Sequence, residues 1–290
     1  MRFSYTLIFS LLLPLELVSL ERSKGSPLPN FVLIVADDAG LMDFGGYGGE
    51  VLTPHITALG DAGVRFSNYH TSPLCAPTRA MLLTGVDNHL TGVGTIPEVV
   101  TPEQKQTRGY SMQFLPEIKT IADKLRAVGY RTYMTGKWHL SQEPTDFGFQ
   151  RYFGHLSGAC NFFKGDKTFR LNGKPWTVPE TGFYTTVADV DYALKFLEEA
   201  RSTAKPWYLY VAFNAPHAPL HALPQDYAKY KGKYDAGYKV IRQARFQKMK
   251  ALGIIKKDSI LSPQAWQWGS VQEEEWEIRC MEVYAAMVDE

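Results

Sequence analysis

Phe31-Val32-Leu33-Ile34-Val35 is an uninterrupted apolar run that ends abruptly in Ala36-Asp37-Asp38. A run so short, rich in β-branched residues and without polar alternation, reads as a strand covered on both faces, as in a parallel sheet flanked by helices. Two later stretches repeat the theme. Residues 116–128 carry Ile118, Ile121, Leu125 and Val128 at helical spacing, close at Gly129, and lead into strand-like 130–134. Residues 185–200 put Val187, Val190, Ala193, Leu194 and Leu197 on one helical face, and after Pro206 the run 207–213 reads as another buried strand. Helix alternating with buried strand gives an α/β fold with a mostly parallel sheet flanked by helices.

Such sheets bind ligands beyond the carboxyl ends of their strands. Asp37 and Asp38 follow the first strand, Lys137 and His139 the second, and His217 the third. Each residue alone has an ordinary explanation: carboxylates after a strand are often turn formers or N-caps, and a histidine between Pro216 and Pro219 can simply bond backbone. Adjacent carboxylates also suit Ca²⁺ or Mg²⁺, but Ca²⁺ takes about six to eight oxygens, so further ligands must come from elsewhere. His55, His70, His89 and His155 read as structural.

Composition narrows the classes. With 31 basic and 30 acidic side chains in 290 residues, the chain lacks the electrostatic footprint of a nucleic-acid or anionic-membrane binder, which favours a small substrate. Cys75, Cys160 and Cys280 fit neither a disulfide framework nor a Cys-x-x-Cys metal site, and the last two read as core thiols. Arg2 precedes an apolar run, 7–18, too short to span a bilayer. Residues 1–20 are therefore expected to be a signal peptide for the secretory pathway, 21–29 a linker, and 30–290 the fold, with a cytoplasmic location if the leader is not a signal. No later run is long enough for a stable membrane anchor.

Cys75-Ala76-Pro77-Thr78-Arg79 is the sharpest feature. Pro77 suits the first turn of a helix, whose N-terminus favours an anion near residue 75, and Arg79 lies one turn on. Together with the following Ala80-Met81-Leu82-Leu83-Thr84-Gly85, this run resembles the signature of the sulfatases, the formylglycine-dependent members of the alkaline-phosphatase-like superfamily. Asn30 to Asp38 resembles the family's opening strand and metal carboxylates, Gly136-Lys137-Trp138-His139 its Gly-Lys-Trp-His element, and Ala215-Pro216-His217 its later histidine. Thr181-Gly182-Phe183-Tyr184 and the run 281–287 are most similar to bacterial-type arylsulfatases.

The resemblance implies an alkaline-phosphatase/sulfatase-like fold and a sulfuric ester hydrolase. Cys75 would be oxidised to formylglycine by a formylglycine-generating enzyme, and one hydroxyl of the aldehyde hydrate would attack the sulfur of a small-molecule sulfate ester. Deprotonation of the other hydroxyl would then eject sulfate and restore the aldehyde. Asp37, Asp38 and residue 75 would bind Ca²⁺, with Mg²⁺ second. Arg79 would orient the hydrate and His139 assist its collapse; Lys137 and His217 would bind the sulfuryl group, and His217 would protonate the leaving oxygen.

The family's later Asp-Asn metal pair and a further lysine have no counterpart up to Glu290, and the helical face at 271–290 (Trp276, Cys280, Val283, Met287) stops at Asp289-Glu290, where the helix dipole disfavours anions. The C-terminal part is thus expected to be absent, leaving unpaired edges and apolar faces and a chain that alone is inactive, binds metal weakly and aggregates. The alternatives are a phosphonate or phosphodiester hydrolase of the same superfamily and a noncatalytic remnant that binds a partner.

Overall fold

The computed structural model describes residues 27–263 and 274–290. The expected leader, most of the linker and residues 271–273 lie outside them. In chain order the elements are β1 (Phe31–Val35), α1 (Pro54–Ala62), α2 (Cys75–Thr84), α3 (Asn88–Thr91), α4 (Ile121–Ala127), β2 (Arg131–Gly136), β3 (Arg151–His155), β4 (Phe169–Leu171), β5 (Lys174–Pro175), α5 (Thr185–Arg201), β6 (Trp207–Ala212), α6 (Pro224–Tyr230), α7 (Gly237–Ala251) and α8 (Glu274–Asp289). The strands form one sheet in the order β1-β6-β2-β3-β4-β5. The β1/β6, β6/β2 and β2/β3 pairs are parallel, and β4 and β5 continue the sheet antiparallel. The expected mostly parallel α/β architecture is what the chain adopts.

β6 shows why an apolar run makes a central strand. Tyr208, Tyr210 and Ala212 enter one core with α2 and α4, while Leu209 and Val211 enter a second core beneath α5. Every second residue is buried on the opposite face. β1 departs from the expectation. It stands at the sheet edge; Leu33 and Val35 pack inward, but Phe31, Val32 and Ile34 are 43%, 53% and 57% exposed. Its apolar run is covered on one face only.

Two helices also differ from their sequence patterns. α4 starts at Ile121 because Thr120 and Asp123 form a capping box, the Thr120 hydroxyl accepting from the Asp123 N–H at 3.2 Å and the Asp123 carboxylate accepting from the Thr120 N–H at 3.0 Å. α5 has the expected extent but not the expected face. Asp189, Ala193, Phe196 and Ala200 point inward, whereas Val187, Val190 and Leu194 are exposed. Aromatic stacking sets the rotation: Phe196 lies 5.9 Å from Tyr133 of β2, and Tyr192 3.7 Å from Phe153 of β3.

α8 packs Ala285 and Ala286 against Tyr230 of α6 and turns Val283 and Met287 of the expected face into the core, whereas Trp276 at its start is exposed. The unfavourable Asp289 at its end is met by Lys229 Nζ at 3.0 Å, an ion pair between helices that no single-helix argument reveals.

Candidate active site

The carboxyl ends of β1, β2 and β6 deliver their polar residues to one place. Asp37 follows β1, and its N–H donates to Ala215 O, beyond β6, at 2.9 Å. Its carboxylate lies between two buried cations, accepting from Arg79 Nη2 at 3.0 Å and Lys137 Nζ at 2.5 Å. Burial alone would raise the Asp37 pKa, but Arg79 and Lys137 together outweigh it and hold the group below its ordinary value. The guanidinium of Arg79 further donates to Lys137 O at 2.8 Å and Tyr210 Oη at 3.4 Å. Arg79 is thereby tied to Asp37 and the β2 end.

Gly136 makes the turn that presents Lys137. Its φ is +92°, and a Cβ there would stand 2.0 Å from Ala212 O, so only glycine lets β2 approach β6 this closely at its end. Three residues after Gly136, His139 adopts φ 58° and turns its ring toward α2. Cys75 is the first residue of α2, and its Sγ lies 3.1 Å from His139 Nδ1. Burial, reinforced by the charges of Lys137 and Arg79, lowers the His139 pKa to about 3. The Cys75 partner is therefore a neutral imidazole in hydrogen-bond contact with the sulfur.

Asp38, also at positive φ (63°), turns away from Asp37. Its half-exposed carboxylate lies 3.4 Å from His217 Nε2. His217 Nδ1 donates to Ala218 O at 2.5 Å, so a proton on Nε2 facing Asp38 requires the imidazolium. All seven residues singled out from sequence, Asp37, Asp38, Cys75, Arg79, Lys137, His139 and His217, thus meet around the ends of three strands and the start of α2.

One part of the site is not evident from sequence. His155, fully buried at the end of β3, shares a 3.0 Å hydrogen bond between Nδ1 and Ser157 Oγ, and Ser157 Oγ donates to Asp166 Oδ2 at 2.5 Å. Burial, with Lys137 and Arg79 adding to it, takes the His155 pKa to about 3 despite the opposing pull of Asp166. Ser157 and Gly158 line a depression of about 210 Å³ next to His139, together with Thr95, Met112 and Ser141. Only the Asp166-x-Thr168 turn, where Thr168 N–H donates to Asp166 Oδ1 at 2.7 Å, leaves a local trace in the sequence.

A divalent cation does not fit this set by itself. Both Asp37 oxygens are engaged by cations, and among the described residues no group of three or more His, Cys, Asp or Glu could hold a metal. Asp37 and Asp38 supply two of the oxygen donors that a hard cation needs, and no more.

The family model named Sulfatase matches residues 29–288. The chain belongs to the sulfatase family. An uncharacterized sulfatase of Schizosaccharomyces pombe is 35% identical over 94% of this chain and 54% of its own length. The arylsulfatase of Klebsiella aerogenes is 33% identical over 90% of this chain and 59% of its own length. The crystal structure of Ps i-CgsB in complex with k-i-k-neocarrahexaose superposes with a TM-score of 0.62 at 29% identity, covering 78% of this chain and 53% of that one. This sulfatase chain therefore spans little more than half the length of the relatives it matches.

Proposed function

We propose that this chain carries the nucleophile side of a sulfuric ester hydrolase of the arylsulfatase type. The observation that carries the reading is the Cys75–His139 contact placed beside the buried Arg79–Asp37–Lys137 cluster, within a sulfatase-family fold. Oxidation of Cys75 by a formylglycine-generating enzyme supplies an aldehyde hydrate at the start of α2, where helix N–H groups favour an anion. Lys137 and Arg79 provide fixed positive charge toward which a sulfuryl group is drawn, and Asp37 holds both in place. His139, neutral at rest, accepts a proton from residue 75; an anion beside Lys137 and Arg79 counters their charge and raises its proton affinity. His217 donates a proton to the departing alcohol oxygen.

Asp37, Asp38 and residue 75 contribute to a divalent cation site, Ca²⁺ in preference to Mg²⁺, only when further oxygen ligands reach them. The chain alone is accordingly proposed to be inactive, and residues 1–20 to direct it to the secretory pathway.

The test measures hydrolysis of an aryl sulfate and an aryl phosphate with one leaving group. It uses chain coexpressed with the converting enzyme and supplied with the portion of the K. aerogenes arylsulfatase that its match leaves uncovered. Sulfate turnover that disappears in Cys75→Ala supports the reading. Faster turnover of the phosphate assigns the chain to phosphoester chemistry, and turnover of neither marks a noncatalytic remnant.

A further inference from the structure

His139 has an unfavourable backbone conformation just beyond β2, and its ring is held from outside that strand. A φ of 58° is one that residues other than glycine keep only where their surroundings impose it. One restraint is the neighbouring amide: Trp138 N–H donates to His155 O, at the end of β3, at 3.0 Å. A second lies in the loop after β3, where the imidazole edge away from Cys75 meets Gly158. That loop forms the wall behind the ring.

Residues 156–158 belong to neither helix nor strand, and side chains just before β4 hold them instead. Thr168 Oγ1 accepts from the N–H groups of Leu156 and Ser157 at 3.1 and 3.2 Å and donates to Asp166 Oδ1 at 2.6 Å. The other Asp166 oxygen accepts the single proton of the Ser157 hydroxyl at 2.5 Å, which leaves Ser157 Oγ to accept from His155 Nδ1 at 3.0 Å. Burial alone would raise the Asp166 pKa, but the hydrogen bonds from Ser157 and Thr168 outweigh it and hold the group below its ordinary value. Asp166 thus stays a carboxylate that accepts on both sides. Because β4 pairs with β3 and β3 with β2, this clip is fixed relative to the strand that leads to His139.

We propose that Asp166 is a positioning residue for His139: with Thr168 and Ser157 it clips loop 156–158, and Gly158 of that loop keeps the imidazole against Cys75. The catalytic meaning of this clip rests on the reading of His139 as the base that serves residue 75. The positioning itself rests on the geometry alone.

The experiment records the ring resonances of His139, assigned by their absence from His139→Gln, in Asp166→Ala, Thr168→Val and Thr168→Ser chains with Cys75 unmodified. Thr168→Val removes the hydroxyl with little change of shape, so it carries the test if Asp166→Ala is unfolded by circular dichroism. The His139 signals are expected to move in Asp166→Ala and Thr168→Val and to keep their places in Thr168→Ser, while the His217 signals stay throughout. His139 signals that stay in place in Thr168→Val, that move as far in Thr168→Ser, or that move no further than those of His217 would overturn the inference. Alkylation of Cys75 by iodoacetamide, followed on its tryptic peptide, reads the base separately. His139→Gln should slow it about tenfold or more, and Asp166→Ala and Thr168→Val should approach that loss. Slowing in His139→Gln alone would overturn the clip. Displaced His139 signals, with alkylation that His139→Gln leaves unchanged, would keep the positioning and remove the base.

Discussion

His139 Nδ1 lies 3.1 Å from Cys75 Sγ, and the other edge of the same imidazole faces Gly158. A Cβ at 158 would stand 2.7 Å from Nε2 and 2.8 Å from Cε1, closer than real Cβ atoms come. Gly158→Ala should therefore displace the ring from Cys75 and cost ~1–3 kcal/mol as overpacking does. The His139 ring resonances and the urea unfolding midpoint check both. Unchanged resonances would show that the ring is not held from this side.

Asp37 and Asp38 are neighbours with opposite energetic roles. Asp37 is buried between Arg79 and Lys137, so Asp37→Ala leaves two uncompensated interior cations and should destabilise by ~3–5 kcal/mol. Asp38 is exposed and its carboxylate meets His217 at 3.4 Å, so Asp38→Asn, which also tolerates the residue's positive φ, should cost less than ~1 kcal/mol. Chemical denaturation of the two variants in parallel gives the comparison.

Acid should weaken the fold earlier than carboxylate titration alone would. His139 and His155 both have folded pKa values lowered to about 3, below the ordinary histidine value. Between about pH 6.5 and that value the unfolded chain binds more protons than the folded one, so stability falls as pH falls through the window. Each histidine contributes up to ~1.4 kcal/mol per pH unit there. The Asp37 contribution is lost later, once pH drops below the ordinary carboxylate range. Urea midpoints at about pH 7.5 and 5 should differ, and His155→Gln should shrink the difference by about half.

Much of the fold and the site was legible because each signal was local. The runs that became β1, β2 and β6 announce themselves by short length and by apolar or aromatic content between helical stretches, and the residues just beyond them, Asp37, Lys137, His139 and His217, meet because parallel strands end on the same side. What failed to show depended on distant partners. α5 offered apolar residues on two faces, and only Tyr133 and Phe153 on the sheet decide that Phe196 and Tyr192 turn inward. β1 reads as doubly covered because its composition suits that, yet its place at the sheet edge, which periodicity does not encode, leaves Val32 and Ile34 open. The His155–Ser157–Asp166 chain was invisible because its members are joined by a loop whose course no periodicity encodes.

Residue 75 is proposed to be a nucleophile precursor and not a core thiol. Cys160, buried and held by burial at a pKa of about 12, shows what an inert thiol looks like in this fold; Cys75 is partly open at the start of α2. The most direct measurement is mass spectrometry of the tryptic peptide 66–79 from chain coexpressed with a formylglycine-generating enzyme. The expected result is an aldehyde at residue 75 that reacts with a hydrazide probe and is absent from Cys75→Ala. A peptide that retains the unmodified thiol throughout would contradict it.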